Sequence, residues 1–246
     1  MNRQAQAVVM LLFGGAILRA SLTDLYLRYV KDGLRPFLLA AGLLLTTAAV
    51  MTLWYELRPS GGREPADAAS PHQDEQGHTH HEPRVGWLLI APVLALVLVA
   101  PPALGAYAAG QAGTILTAQN ADSDYPPLPA GDPVPVSMLD YASRAIFDEG
   151  KTLTGRTVVL TGFVTAGTDG RPMLARMILS CCAADGRPIK VALTGNTPTG
   201  VPADTWVQVT GGYVARQATD TVNGAPVPYL QVTAWKQITR PRDPYE

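Results

Sequence analysis

Two segments, Arg156–Ala166 (RTVVLTGFVTA) and Thr205–Ala215 (TWVQVTGGYVA), decide the reading of the C-terminal half. Both are rich in β-branched residues, and both contain a valine-led phrase ending in Thr-Gly, at Val158–Gly162 and Val207–Gly211. Apolar alternation with period two marks a half-buried strand, and a glycine inside it marks a bulge or sharp bend. Leu174–Cys182 (LARMILSCC), Ile189–Leu193 and Tyr229–Trp235 (YLQVTAW) supply three more strands between Gly, Pro, Asn and Asp turns. Five short strands, two with bending glycines, predict an all-β C-terminal domain, an OB-like five-stranded barrel. An SH3-like barrel and a small sandwich are the alternatives. A short helix precedes the strands. Ser137 or Asp140 caps it, Leu139, Ala142, Ile146 and Phe147 recur at helical spacing, and Gly150 ends it.

Outward from this domain, which spans 137–246, the chain changes character. Residues 110–136 concentrate proline (YPPLPAGDPVPV) and predict an extended polyproline tether. Residues 1–109 form a membrane region. The chain is 47% hydrophobic and only 16% charged, against roughly 25% charged in ordinary soluble proteins. The deficit is local, because residues 4–18, 36–55 and 85–121 contain no charge.

About 20 apolar residues cross a hydrocarbon core of about 30 Å. Pro36–Tyr55 and Gly86–Ala109 meet that length, with Trp54, Tyr55 and Trp87 at the edges, where amphipathic rings favour the interface. The helices are expected at about 4–20, 36–55 and 86–109, the last kinked at Pro101 and Pro102. Gln4–Leu18 is short; three spans are favoured over two, with a signal peptide or a surface-lying helix as alternatives. The link 19–35 carries Arg19, Arg28, Lys31 and Arg35, which favours the cytoplasm, whereas the 34 residues after Ala109 carry no Lys or Arg. These signals conflict, and the longer depletion favours an extracytoplasmic β domain on a multi-pass protein of the cell membrane.

All four histidines, His72, His78, His80 and His81, fall in the loop 56–85 among Asp74, Glu75 and Glu82. Imidazole and carboxylate are ligands for zinc, nickel or copper, so the cluster points to contact with zinc or another transition metal. Its irregular spacing is a signal of composition, and a plain solvated loop is the competing explanation. The chain has two cysteines, the adjacent Cys181 and Cys182 at a strand end. Strand alternation puts one thiol in the core and the other outward. A small buried hydrophobe plus a bystander is the first reading, with a redox switch or a thiolate metal ligand beside it, and Asp185 simply starts the turn that follows.

The β domain contains no histidine, the commonest general base, and no phosphate-binding glycine loop, so no enzymatic role is expected. It holds eleven Lys/Arg against nine Asp/Glu. That balance offers no electrostatic footprint for nucleic acid, and Phe163, Trp206, Tyr213, Tyr229 and Trp235 fit packing better than base stacking.

The phrases GRTVVLTGFV (155–164), RMILSCCAAD (176–185), WVQVTGGY (206–213) and TAWKQITRPRDPY (233–245) resemble a family of uncharacterised bacterial membrane proteins described as subunits of a two-component permease. The resemblance extends over nearly the whole chain, and the Cys-Cys-Ala-Ala-Asp segment is its most specific part. It implies a polytopic permease subunit as partner and transfers no catalytic residue. Family members carry a longer loop rich in metal ligands, whereas the loop here is short and lacks cysteine. The expectation is a non-catalytic accessory subunit of a membrane permease complex that handles or senses a metal cation. A membrane-anchored binding or sensor module acting alone is the alternative, and an exported thiol redox protein using Cys181 and Cys182 the second.

Overall fold

The structure, a computed structural model, describes residues 3–58, 95, 98–99, 102–116, 125–167 and 170–246. The four histidines and most of the apolar run 86–101 lie outside the described residues. The chain divides into two compact units, Met1–Asp24 with Gly33–Pro101, and Leu25–Asp32 with Pro102–Glu246.

In the first unit, helices α1 (Arg3–Leu22) and α2 (Arg35–Leu57) pack against each other. At 1.5 Å per residue they are about 30 Å and about 35 Å long. Pro36, in the first turn of α2, lacks a donor that no helical carbonyl needs there. Close approach depends on glycine. A Cβ on Gly42 would stand 2.9 Å from Leu18, and one on Gly14 would stand 2.6 Å from Thr46. Small residues at such contacts let apolar helices associate without a hydrophobic driving force. Arg35 Nε donates to the Ser21 carbonyl at 3.0 Å, joining the end of α1 to the start of α2. Away from this seam α2 exposes Phe37, Leu43, Leu44, Val50, Met51, Trp54 and Tyr55. Asp32–Leu57 is long and apolar enough to cross a membrane.

The second unit is the barrel. Its strands are β1 (Val134–Pro135), β2 (Thr157–Ala166), β3 (Pro172–Ile178), β4 (Arg187–Gly195), β5 (Trp206–Thr219) and β6 (Pro226–Gln237). The sheet runs β1-β2-β3-β4-β6-β5, and β5 returns to pair with β2, so the five long strands close. All neighbours in the ring are antiparallel except β4 and β6, which run parallel. This is the OB-like barrel expected from the strand pattern. Gly211 sits at a register shift between β5 and β6, and a Cβ there would strike the Gln231 carbonyl, so only glycine permits the bend.

Inward residues of the strands, among them Leu160, Leu174, Ile189, Val191, Val209 and Leu230, are fully buried. Each contributes roughly 1.5–3 kcal/mol of transfer free energy. Helix α4 (Met138–Phe147) adds Met138, Tyr141, Ala142 and Ala145 to the same core. Ser137 caps it by accepting from Asp140 N, as its sequence suggests. Glu246 reinforces that end, its carboxylate accepting from Met138 N at 3.0 Å and Leu139 N at 3.1 Å.

Two boundaries differ from the sequence expectation. The described part of the proline-rich segment is stitched to the barrel instead of forming a free tether. Val134–Pro135 pairs with Val158–Val159, Val136 N donates to Val159 O, and Arg156 donates to the Pro129 and Gly131 carbonyls. Pairing succeeds because the prolines alternate with valine and β1 is an edge strand of two residues. The end of the apolar run expected to span to Ala109 also belongs here. Helix α3 (Ala106–Gln111) buries Ala106 and Ala109 beside Phe163 and Trp206.

Lys190 and Asp220 form a buried ion pair, Nζ to Oδ2 at 2.9 Å, beside a cavity of about 150 Å³. Lys190 also donates to Ala112 O, and Asp220 accepts from Thr114 N and Val222 N. Burial, the largest influence, raises the Asp220 carboxyl, but these donors together hold it below its usual value of 3.8. Its contribution to stability is therefore present above that value and is lost as pH falls through the folded one. Lys190→Met strands the carboxylate and is expected to cost about 3–5 kcal/mol. In thermal melts the gap between wild type and variant narrows as pH is lowered below 3.8; a gap independent of pH would contradict this account.

Candidate functional site

The cysteine pair lies where β3 ends and the chain turns back toward β4. Strand pairing stops at Ile178, and Leu179 N donates to Glu246 O at 3.1 Å. Residues 180–185 then wrap around one carboxylate. Asp185 Oδ1 accepts from Ser180 N at 2.9 Å, and Oδ2 accepts from Cys181 N at 2.7 Å and Cys182 N at 3.3 Å. A one-turn 3-10 helix, Ala183–Asp185, brings the carboxylate back to those amides. Asp185 is thus the centre of the loop, beyond the turn-starting role its sequence position suggests.

The thiols correct a second expectation. Neither is in the core. Cys181 is exposed and Cys182 half-buried, with their sulfur atoms 3.6 Å apart. The alternation rule fails because both residues lie past the end of the strand, where the Asp185 amide contacts set the backbone. The Sγ atoms and a carboxylate oxygen of Asp185 all lie within 4.8 Å of one another.

A third element completes the site, and sequence reasoning missed it. Leu25–Asp32 folds with the barrel. Val30 forms an antiparallel bridge with Cys182, Lys31 N donates to Cys181 O at 3.1 Å, and Ala183 N donates to Tyr29 O at 2.7 Å. Tyr26 and Leu27 are buried, and Tyr26 OH donates to Asp32 Oδ1 at 2.6 Å. Tyr245 OH donates to Arg28 O at 2.7 Å and accepts from Leu104 N at 3.0 Å. The available signal was the apolar run LYLRYV at 25–30, whose Arg28 and Lys31 had been weighed only as topology markers.

Charge and hydrogen bonding set the state of the loop. The Asp185 carboxylate, followed by Cys182, hydrogen-bonds Cys181 and pushes its thiol up to about 12. Reciprocally, the thiol and amide of Cys181, with the amides of Ser180 and Cys182, hold Asp185 down to about 2. The negative charge beside Cys181 disfavours its thiolate, the form that acts as nucleophile. The barrel aromatics are largely consumed by packing. Phe163 meets Trp206 edge-on, Arg176 lies over Trp206, and Arg216 covers Tyr229 at 4.3 Å. His72, His78, His80 and His81 lie outside the described residues.

Fold and site together define a small OB-like barrel with a surface Cys-Cys-Asp loop, in a chain that also carries an apolar N-terminal helix fit to cross a membrane. Residues 140–246 match the family model of the DUF1980 C-terminal domain, an uncharacterised family. That match covers the helix–barrel domain and the cysteine loop. No curated protein and no solved structure matches the chain.

Asp185→Asn removes the negative charge that keeps Cys181 protonated while retaining an acceptor oxygen. Alkylation of Cys181 at pH 8, followed by peptide mass spectrometry, is expected to accelerate at least about tenfold. An unchanged rate would show that the carboxylate does not control the thiol.

Proposed function

We propose that this chain is a non-catalytic accessory subunit of a membrane permease complex, one that handles a metal cation at the membrane surface. The observation that carries this reading is the pairing of Leu25–Asp32 with the cysteine loop. The chain leaves α1, contributes that segment to the loop, and enters α2 within a few residues. The segment that braces the cysteine loop is thus continuous in sequence with both helices. The exposed apolar side of α2 suits contact with lipid or with the partner's helices.

The same pairing supports a topology. Leu25–Asp32 and the barrel fall in one compact unit, and we place both on one side of the membrane, with an even number of crossings between them along the chain. In this proposal helix α2 supplies one crossing, and the apolar residues before Pro102 supply the other. The long stretch free of Lys and Arg after Ala109 favours the extracytoplasmic side for both. The absence of histidine, the commonest general base, from 137–246 supports a binding role over catalysis.

Purification from mild detergent at native expression is expected to retain a polytopic membrane protein. Recovery of the chain alone would favour a stand-alone binding module. In a Cys181→Ser, Cys182→Ser background, Lys31→Cys and Lys236→Cys should both react with a membrane-impermeant maleimide in intact cells. Labelling of only one would refute the shared side.

A further inference from the structure

We infer that Cys181, Cys182 and Asp185 form a binding site for a thiophilic divalent cation of the zinc and cadmium class, held by two thiolates and one carboxylate oxygen with a fourth position open. This deepens the proposed function and rests on the cation part of that reading, for which it names the ligands and the kind of ion.

The geometry is close to a chelate. Two thiolates, each about 2.3 Å from a tetrahedral ion, stand about 3.8 Å apart. The sulfur atoms are already 3.6 Å apart, and both lie within 4.8 Å of the carboxylate oxygen. Little movement of the sulfur atoms is therefore needed to reach the separation that a shared ion requires. The carboxylate has a position to offer. Its three amide donors occupy one lone pair of Oδ1 and both of Oδ2, which leaves one on Oδ1.

The donor set selects the ion. Thiolates favour zinc and its softer relatives over magnesium and calcium, which take oxygen ligands. Exposure of Cys181 leaves the ion accessible, and three protein ligands with an open fourth position suit an ion that is received and passed on. Binding is a proton exchange. The cation displaces the thiol protons of Cys181 and Cys182 to solvent, two metal–sulfur bonds replace two S–H bonds, and no electron moves. Backbone hydrogen bonds from Lys31 to Cys181 and from Ala183 to Tyr29 hold the loop while this happens.

The test is titration of the full chain in detergent, under a phosphine reductant, with Cd²⁺ and with Co²⁺ as a spectroscopic probe. One equivalent is expected to bind with near-ultraviolet thiolate-to-metal charge transfer. This band should persist in a variant with His72, His78, His80 and His81 all changed to Ala. Cys181→Ser, Cys182→Ser should abolish it and weaken binding beyond the roughly 10–100-fold that loss of an outer-shell contact costs. Both thiols are outside the core, so an unchanged melting transition certifies the fold of that variant. Asp185→Asn should weaken binding while leaving the charge-transfer band at saturating metal. Binding without the band, or affinity unchanged in the double cysteine variant, would overturn the site. If that binding then vanishes in the histidine variant, the site fails while the cation-handling subunit stands. No binding to any form would remove both.

Discussion

Barrel closure depends on β2 serving two partners. Thr157–Phe163 pairs with β5, and Phe163–Ala166 pairs with β3, so the strand changes neighbours around Phe163. A strand that splits its partners in this way must bend, and Gly162 allows it, since a Cβ there would lie 2.6 Å from the Ala175 carbonyl. Once β2 commits to β3 over its last residues, β3 is offset and its far end meets Tyr245 and Glu246. The cysteine loop begins at that far end. Its position is therefore a consequence of how the barrel closes, and its conformation a consequence of Asp185.

Asp185 illustrates how one charge can organise a loop and set its chemistry together. Three amides converging on a carboxylate make charge-assisted bonds, each stronger than a neutral pair. The same negative charge disfavours the neighbouring thiolate. A divalent cation reverses that balance, because its charge stabilises both thiolates and offsets their repulsion from the carboxylate.

Much of this was legible in the sequence, and the exceptions share a cause. All five long strands overlap the segments that β-branched runs, alternation and turn residues marked, with β3 ending earlier than expected. The cap at Ser137 is local chemistry and was equally plain. What failed was any judgement of what covers an apolar or proline-rich stretch. Ala106 and Ala109 look the same whether they face lipid or Phe163 and Trp206. Val134 and Val136 pair with β2 although prolines flank them. Tyr26 and Leu27 were overshadowed by Arg28 and Lys31. Alternation also carried the β3 pattern through Leu179–Cys182, past the point where Asp185 takes over the backbone. Each error concerns a contact that no period encodes, most of them between segments distant in sequence and one from Asp185 to amides three to five residues away.

The bond between Leu25–Asp32 and the cysteine loop is made by main-chain groups, and that choice matters for function. Cys181 O and Ala183 N, the two groups that meet Lys31 N and Tyr29 O, flank Cys182 on either side. Cys182 therefore cannot shift along the chain without breaking one of them, whereas its side chain can still rotate. Preorganisation of this kind lowers the ordering cost of capturing a ligand, since the backbone is fixed beforehand and only side-chain torsions remain to be set. The reverse also holds. A ligand that draws the two sulfur atoms and the carboxylate together pulls on peptide units hydrogen-bonded to the segment between α1 and α2. The loop and that segment are joined through two main-chain hydrogen bonds, of 3.1 Å and 2.7 Å.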